Sequence, residues 1–504
     1  MQIDSMNRRA LLRGSATAGA FTALGGVLGG LMSRQAMAAH GDGQLVPAAS
    51  PYGAVFPTKD QETGLELLKL PRGFTYRSMS WSGDLMTDGS TVRGVHDGMG
   101  VVSVGGKGGQ DTFLIRNHEL RPLGTLLPAP GKYDTNLQNG AYVAGGCDVL
   151  RVRNGKLIEH YPTLGGTSTN CAGGVTPWGT WLTCEETTYD GRSAGGLKHG
   201  YVFECSIDPT ETTGQPIVGM GRFAHEAVAV DPVTGYVYQT EDNRNRSGLY
   251  RYKPNNKPAG YGALAQGGQL QAAKIVGVDG AMITALGGAN AVNSVGDVLQ
   301  VEWVDLDNPD ADPSGGASGP YLEAVSKGAL TMSRGEGIWH HGDSFAIVDT
   351  AFGRDSSGRD GRGLGSVWIY TPDTSNPARG TLTLLYAAAA RVAGNNPDNI
   401  TYSPRGGIVT CDDGDDVDDG FGAGQRLMGY TDHGEAYILA KSNVILSDGD
   451  IAGMNRTGQF SADDYRGSEF CGACFDPSGE TLFVNVQSPG ITFAIRGPWA
   501  AGNL

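Results

Sequence analysis

The sequence predicts an all-β protein built as a single β-propeller of six blades with inserted loops. Two observations lead there. First, 80 of the 504 residues are Gly and 24 are Pro, about a fifth of the chain against roughly an eighth in average usage. Only 18% of residues are charged, which excludes a long helical bundle, while 39% hydrophobic content supports a large core and excludes a disordered chain. Second, the chain repeats one unit: an apolar strand, a small polar or acidic cluster at its end, a loop, then a strand carrying an aromatic residue.

The first element is an address. Arg8-Arg9 precedes a mildly apolar, Gly/Ala-rich stretch from Ala16 to Met32, followed by the small-x-small site Ala36-Met37-Ala38. This is the pattern of a twin-arginine export signal spanning 1–38, cleaved after Ala38. Gly25, Gly26, Gly29 and Gly30 make it a poor spanning helix, and no later run of 18 apolar residues follows. The mature chain, 39–504, is therefore expected in the periplasm or secreted, without stable membrane insertion. Seven cysteines leave at least one thiol outside any internal disulfide scheme.

The repeated units come next. Strand 112–116 leads to Asn117-His118-Glu119, 180–183 to Cys184-Glu185-Glu186, and 236–240 to Glu241-Asp242. Strand 345–348 leads to Asp349, 408–410 to Cys411-Asp412-Asp413, and the last unit is 482–486 with 491–495. Asp231-Pro-Val-Thr-Gly235 and Asp476-Pro-Ser-Gly479 predict tight hairpin turns. Six such units, mostly 55–75 residues apart, match propeller blades. The interval of 108 residues between Glu241 and Asp349 calls for an inserted loop or a hidden blade.

In a propeller, equivalent strand ends converge at one mouth, so the acids at 119, 185–186, 241, 349 and 412–413 become one group. Packed carboxylates repel unless they share protons or bind cations, and oxygen-rich sites favour hard cations such as calcium. Cys171, in the Gly-rich run 165–174, would add a thiolate, which suits iron better. Arg334-Gly335-Glu336 places a guanidinium and a carboxylate two residues apart, on one side of an extended chain. The net charge of −15, without a basic stripe, excludes nucleic acid and anionic lipid as partners. Gly191-Arg-Ser193-Ala-Gly195 spells a nucleophile elbow but lacks the following helix, and Cys471-Gly-Ala-Cys474 lacks a surrounding βαβ unit. The tail of the acidic run 412–419 is out of EF-hand register and is expected to be a solvated or weakly calcium-binding loop. His225, His340 and His341 follow no zinc spacing and are expected to pack or hydrogen-bond.

Taken in order, the motifs resemble a family. They are the export signal, His96-Asp97-Gly98-Met99, Asn117-His118-Glu119, Thr169-Asn170-Cys171, Thr176-Pro-Trp-Gly-Thr180, Thr183-Cys-Glu-Glu186, Arg222-Phe-Ala-His225-Glu226, Thr240-Glu241-Asp242, Arg334-Gly-Glu336, Pro397-Asp398-Asn399-Ile400 and Leu482-Phe-Val-Asn485. Together they resemble the PhoX-type bacterial alkaline phosphatases over nearly all of the mature chain. The resemblance implies a six-bladed propeller with ferric iron and calcium at its mouth, hydrolysing phosphomonoesters at alkaline pH. It also implies metal ligation by Asn117, Glu119, Cys171, Glu186 or its neighbour Glu185, Glu241 and Glu336, with Arg334 holding phosphate and acting with Glu336 in catalysis. Asp412 is the remaining expected ligand, although Cys411-Asp412-Asp413-Gly departs from the family's usual Cys-Glu-Asp-Gly. Small phosphate esters and the twin-arginine machinery are the expected partners, and a monomer the expected state. The alternatives are a phosphodiesterase or phosphotriesterase on the same site, and a non-catalytic calcium-dependent binding propeller. Sequencing the N-terminus of the exported protein should begin at Ala39, and Arg8→Lys/Arg9→Lys should leave the uncleaved precursor in the cytoplasm.

Overall fold

The computed structural model describes residues 43–105, 110–431 and 435–504, so the export segment lies outside the described residues. The runs expected to be strands form Asp111–His118, Trp181–Glu185, Val237–Glu241, Ser344–Asp349, Ile408–Asp412 and Leu482–Val486. Each has an antiparallel partner on its N-terminal side that the repeat reading did not include. These partners are β1 (His96–Gly105), β2 (Asn170–Val175), β3 (His225–Val230), β4 (Gly335–His341), β5 (Pro397–Tyr402) and β6 (Phe470–Phe475). They are short of the alternating apolar pattern because both of their faces are covered.

The sheets stand in a propeller-like arrangement. Consecutive inner strands lie against one another from β1 through β6, and β6 returns to β1. Close approach demands small side chains: a Cβ on Gly98 would meet Ala172 Cα at 2.5 Å, and one on Gly337 would meet Asp398 O at 2.8 Å. Strands β3 and β4 begin opposite ends of one nine-stranded sheet, joined where Val298–Asp305 pairs with Arg379–Ala387. The long interval before Asp349 is therefore an insertion, holding strands Gly268–Ile275 and Val298–Asp305 and the helix Gly319–Ser326. Both predicted turns form: Asp231 accepts from Val233 N and Thr234 Oγ1, and Asp476 from Glu480 N, with Gly235 and Gly479 at positive φ.

The ends of the chain are clasped together. Strand Thr75–Met79 pairs with Ile491–Arg496 and completes the last sheet. Phe74, Tyr52 and Phe475 set their rings edge-on to Trp499, which is 1% exposed. The fold needs this closure because the sheet of β6 would otherwise end on an open edge. Trp499→Ala should lower the unfolding free energy by about 3–5 kcal/mol, measured as a lower denaturant midpoint.

Candidate metal centre and active site

One backbone device builds the site. Every inner strand carries a β-bulge near its start, two residues opposing one on the partner: Asp97-Gly98, Cys171-Ala172, Glu226-Ala227, Glu336-Gly337, Asp398-Asn399 and Gly472-Ala473. The bulge re-aims the first of each pair. Five of those six are carboxyl or thiol residues, and the sixth, Gly472, follows Cys471. The next residue is Gly or Ala in five of the six strands, as the crowded axis requires, and Asn399 in β5. Beneath them the axis is closed to a void of about 20 Å³ lined by Gly98, Ala172, Gly337 and Trp339, room for about one water.

A second ring comes from the residues just past the second strands, Glu119, Glu186, Asp242 and Asp413, together with Glu469 before β6. Four groups, each with ligand atoms within 4.8 Å of one another, run in a chain: Cys171–Glu186–Glu226, Glu226–Glu336–Asp398, Asp398–Asp413–Glu469 and Glu469–Cys471–Asp97. Shared Glu226, Asp398 and Glu469 make them one continuous centre. Cys171 Sγ donates to Glu226 Oε1 at 3.3 Å, and Cys471 Sγ to the His96 carbonyl at 3.0 Å. Glu119 lies beside Asp97, Glu186 beside Asp242, and Asp413 beside Glu469.

Such carboxyls cannot all ionise together. Burial first, and then neighbouring carboxylates, push Asp97, Glu186, Glu226, Glu336 and Glu469 well above the usual carboxylate range. Asp398 is pushed up to about 7 by burial and Asp413. Burial, then Asp97 and Glu226, also push the Cys171 thiol up. Asp97 Oδ2 and Glu226 Oε2 are buried and accept no hydrogen bond from the protein. A group of buried acids with orphaned oxygens fits cations, which supply the missing charge and the missing partners.

The predicted site residues separate into two sets. Glu119, Cys171, Glu186 and Glu336 lie in this centre, and Arg334 borders it: it grips Asp242 through Nε and Nη2 and reaches Glu336 Oε1 at 3.2 Å. Asn117, Glu185, Glu241 and Asp412 are placed elsewhere, each engaged by protein partners. Asn117 Oδ1 accepts from Trp181 Nε1, Thr183 Oγ1 and Cys147 Sγ, while its Nδ2 donates to the carbonyls of Cys171 and Ala172. Glu185 accepts from Ser168 N, Gly200 N and His199 Nδ1; Glu241 from Ser318 Oγ, Tyr250 OH and Gly248 N; Asp412 pairs with Arg426 at 2.7 Å. The reason is strand alternation. Glu185, Glu241 and Asp412 are each the last residue of a second strand, and the residue after each faces the mouth instead. Asn117, one residue short of its strand's end, is taken up by the hydrogen bonds that tie it to β2.

Asp97, Glu226, Asp242, Asp398, Glu469 and Cys471 were not in the predicted set, and Asp413 was expected at the mouth but not singled out as a ligand. Asp97 and Glu226 carried a signal, a donor followed by Gly or Ala at the start of an inner strand; Asp398 and Glu469, followed by Asn399 and Phe470, did not. Cys471 is the thiol of the Asp97–Glu469 group, Cys474 is a free buried thiol outside the centre, and Ser193 is exposed in a short 3-10 turn. The tail of the acidic run is exposed at Asp415, Asp416 and Asp418, as expected of a solvated loop, while the Asp419 side chain is covered and meets Lys441 at 2.6 Å. No helix among the described residues is long and apolar enough to cross a membrane.

Propeller-like sheets bearing a carboxylate- and thiol-lined centre beside an arginine define a metal-dependent hydrolase. The model of the family described as alkaline phosphatase PhoX matches residues 50–490. The chain belongs to the PhoX alkaline phosphatase family and is a phosphoric monoester hydrolase. Among solved structures, Pseudomonas fluorescens PhoX in complex with vanadate, a transition state analogue, is 18% identical with a TM-score of 0.61, covering 92% of this chain and 99% of that one. The gluconolactonase XC5397 from Xanthomonas campestris gives 11% identity and a TM-score of 0.38, over 91% and 99%. No curated protein sequence matches.

Without cations, Glu226 must take up a proton to sit among the other acids, a cost that Glu226→Gln removes. In chelator the variant should unfold at a higher denaturant concentration than the wild type, by about 1–3 kcal/mol, whereas in metal-replete buffer it should bind fewer ions, read by elemental analysis.

Proposed function

We propose that the enzyme is an alkaline phosphomonoesterase whose substrate phosphate sits over the carboxyl–thiol centre, with iron and calcium as its cations and six blades around it. The observation that carries this reading is the unbroken chain of donors from Cys171 to Asp97, with Arg334 at its border. The six inner strands, each bulged at the same place, support the blade count. Cys171, Glu186 and Glu226 form the group suited to iron, since thiolate is a soft ligand, and the all-carboxylate groups Glu226–Glu336–Asp398 and Asp398–Asp413–Glu469 suit calcium. Bound cations supply the positive charge that draws in a phosphate and polarises its oxygens.

The chain's own residues then position the ester. Arg334 keeps its charge because Glu336 and Asp242 outweigh its burial. Asp242 engages two of its nitrogens, which fixes the guanidinium plane and leaves the remaining N–H groups for phosphate oxygens. Those donors are in place before charge develops on the transferring phosphoryl group, which is the condition for stabilising the transition state. A formal charge of −15 repels phosphate at long range, so binding depends on the cations. In this reading residues 1–38 carry the folded protein through the twin-arginine route, and the mature enzyme works outside the cytoplasm as a monomer.

The test is p-nitrophenyl phosphate turnover at alkaline pH, with elemental analysis, before and after chelation. Turnover should vanish on chelation and return with iron and calcium. Arg334→Gln should lower kcat/KM by about 100- to 1,000-fold, and Cys171→Ala should lose iron and hydrolysis together while keeping its fold. Equal inactivity on aryl mono-, di- and triesters would sink the reading.

A further inference from the structure

Three segments meet on one side of the centre. Loop 242–246 is tied to the Arg334 strand by Asn245 N donating to Ser333 O at 2.6 Å. It is tied to loop 351–365 by Arg244 Nη1 donating to Gly361 O at 2.9 Å and by Asn245 Nδ2 donating to Asp360 O at 3.1 Å. The fit is tight: Gly361 has φ +66, and a Cβ there would lie 1.7 Å from Asn245 Oδ1. Arg244, Arg334 and Arg362 are thereby brought to one edge of the mouth. The first and last are exposed.

The nearby carboxylates are already engaged. Asp242 is held by Arg334, and Asp360 by Arg354 at 2.6 Å and Asn290 at 2.8 Å. Among the described residues, neither Arg244 nor Arg362 has a carboxylate partner. Burial, then the charges of Arg334 and Arg362, hold Arg244 below the ordinary arginine range. Asp242 and Glu336 offset part of that repulsion at Arg244 without bonding it, so N–H groups stay open to an incoming anion, and guanidinium forks suit phosphate above other anions.

We propose that Arg244 and Arg362 form a second phosphate subsite beside Arg334, which selects phosphomonoesters whose leaving alcohol carries another phosphate. The inference rests on the phosphatase reading and names the substrate class of the same site. While Arg334 and the cations hold the phosphate being transferred, Arg244 and Arg362 grip the one that stays on the alcohol. The reaction is unchanged: water's oxygen bonds to phosphorus, the ester P–O bond breaks, and the alcohol leaves with a proton.

The experiment compares kcat/KM for propanediol bisphosphate and propyl phosphate, which differ only by the second phosphate, in the metal-loaded full chain. The wild type should favour the bisphosphate by about tenfold after correction for its two equivalent ends, an effect on the scale of one or two charge-assisted hydrogen bonds. Arg244→Gln and Arg362→Gln should each cut that ratio severalfold, mainly through KM, and Arg244→Lys should retain more of it. A wild-type ratio near one overturns the subsite, as does an equal loss on both esters in the glutamine variants. No phosphate release by the wild type from either ester, or from p-nitrophenyl phosphate, would instead overturn the phosphatase reading and the subsite with it.

Discussion

Mutual repulsion among buried acids is the constraint on which the rest of the molecule depends. Buried Glu226 faces Glu336 and Asp97, which are buried as well, and Asp398 and Glu186, which are half-buried. That arrangement is tolerable only with shared protons or with cations. The crowding originates in backbone geometry: each inner strand spends one extra residue on a bulge, and the rigid sheets behind it prevent the donors from spreading apart. A centre held this way is pre-organised, since its ligands cannot relax outward when empty.

The supporting layer is as ordered as the centre itself. The acids at the second-strand ends are engaged one by one: Glu185 by His199 and backbone amides, Glu241 by Tyr250 and Ser318, and Asp412 through Oδ2 by Arg426. Burial pushes Glu241 up to about 7. Asn117 links the first sheet to β2 by donating to the carbonyls of Cys171 and Ala172, which fixes the bulge that aims the thiol. Residues that look like ligands in sequence therefore act one layer out, as positioning groups. Arg334 joins the layers, touching both Asp242 and Glu336.

Much of the outer architecture was legible beforehand. The second strands and the two Asp-Pro turns carry their own local signals, alternation and turn chemistry, which do not need the rest of the chain. The inner strands were not legible, because a strand covered on both faces has no polar side to alternate with, and Gly98 or Gly337 reads as a loop. Ligand assignment in the doublets Glu185-Glu186, Glu241-Asp242 and Asp412-Asp413 turned on a single position. Either member could face the mouth until pairing with β2, β3 and β5 set the register.

The sequence alone determined the fold class, the repeat, the acidic mouth, Cys171 and Arg334 as its notable chemistry, and the family resemblance. Each rests on composition, local pattern or an ordered set of motifs. Tertiary structure decided which acids converge. Asp97, Glu226, Asp398 and Glu469 lie far apart in the chain and become one centre only because bulges in neighbouring inner strands turn the first three towards a common axis and β6 brings Glu469 in just ahead of it. It also decided that Arg244 and Arg362 stand without carboxylate partners beside Arg334, since that depends on three loops meeting and on which acids the neighbouring cations have already taken.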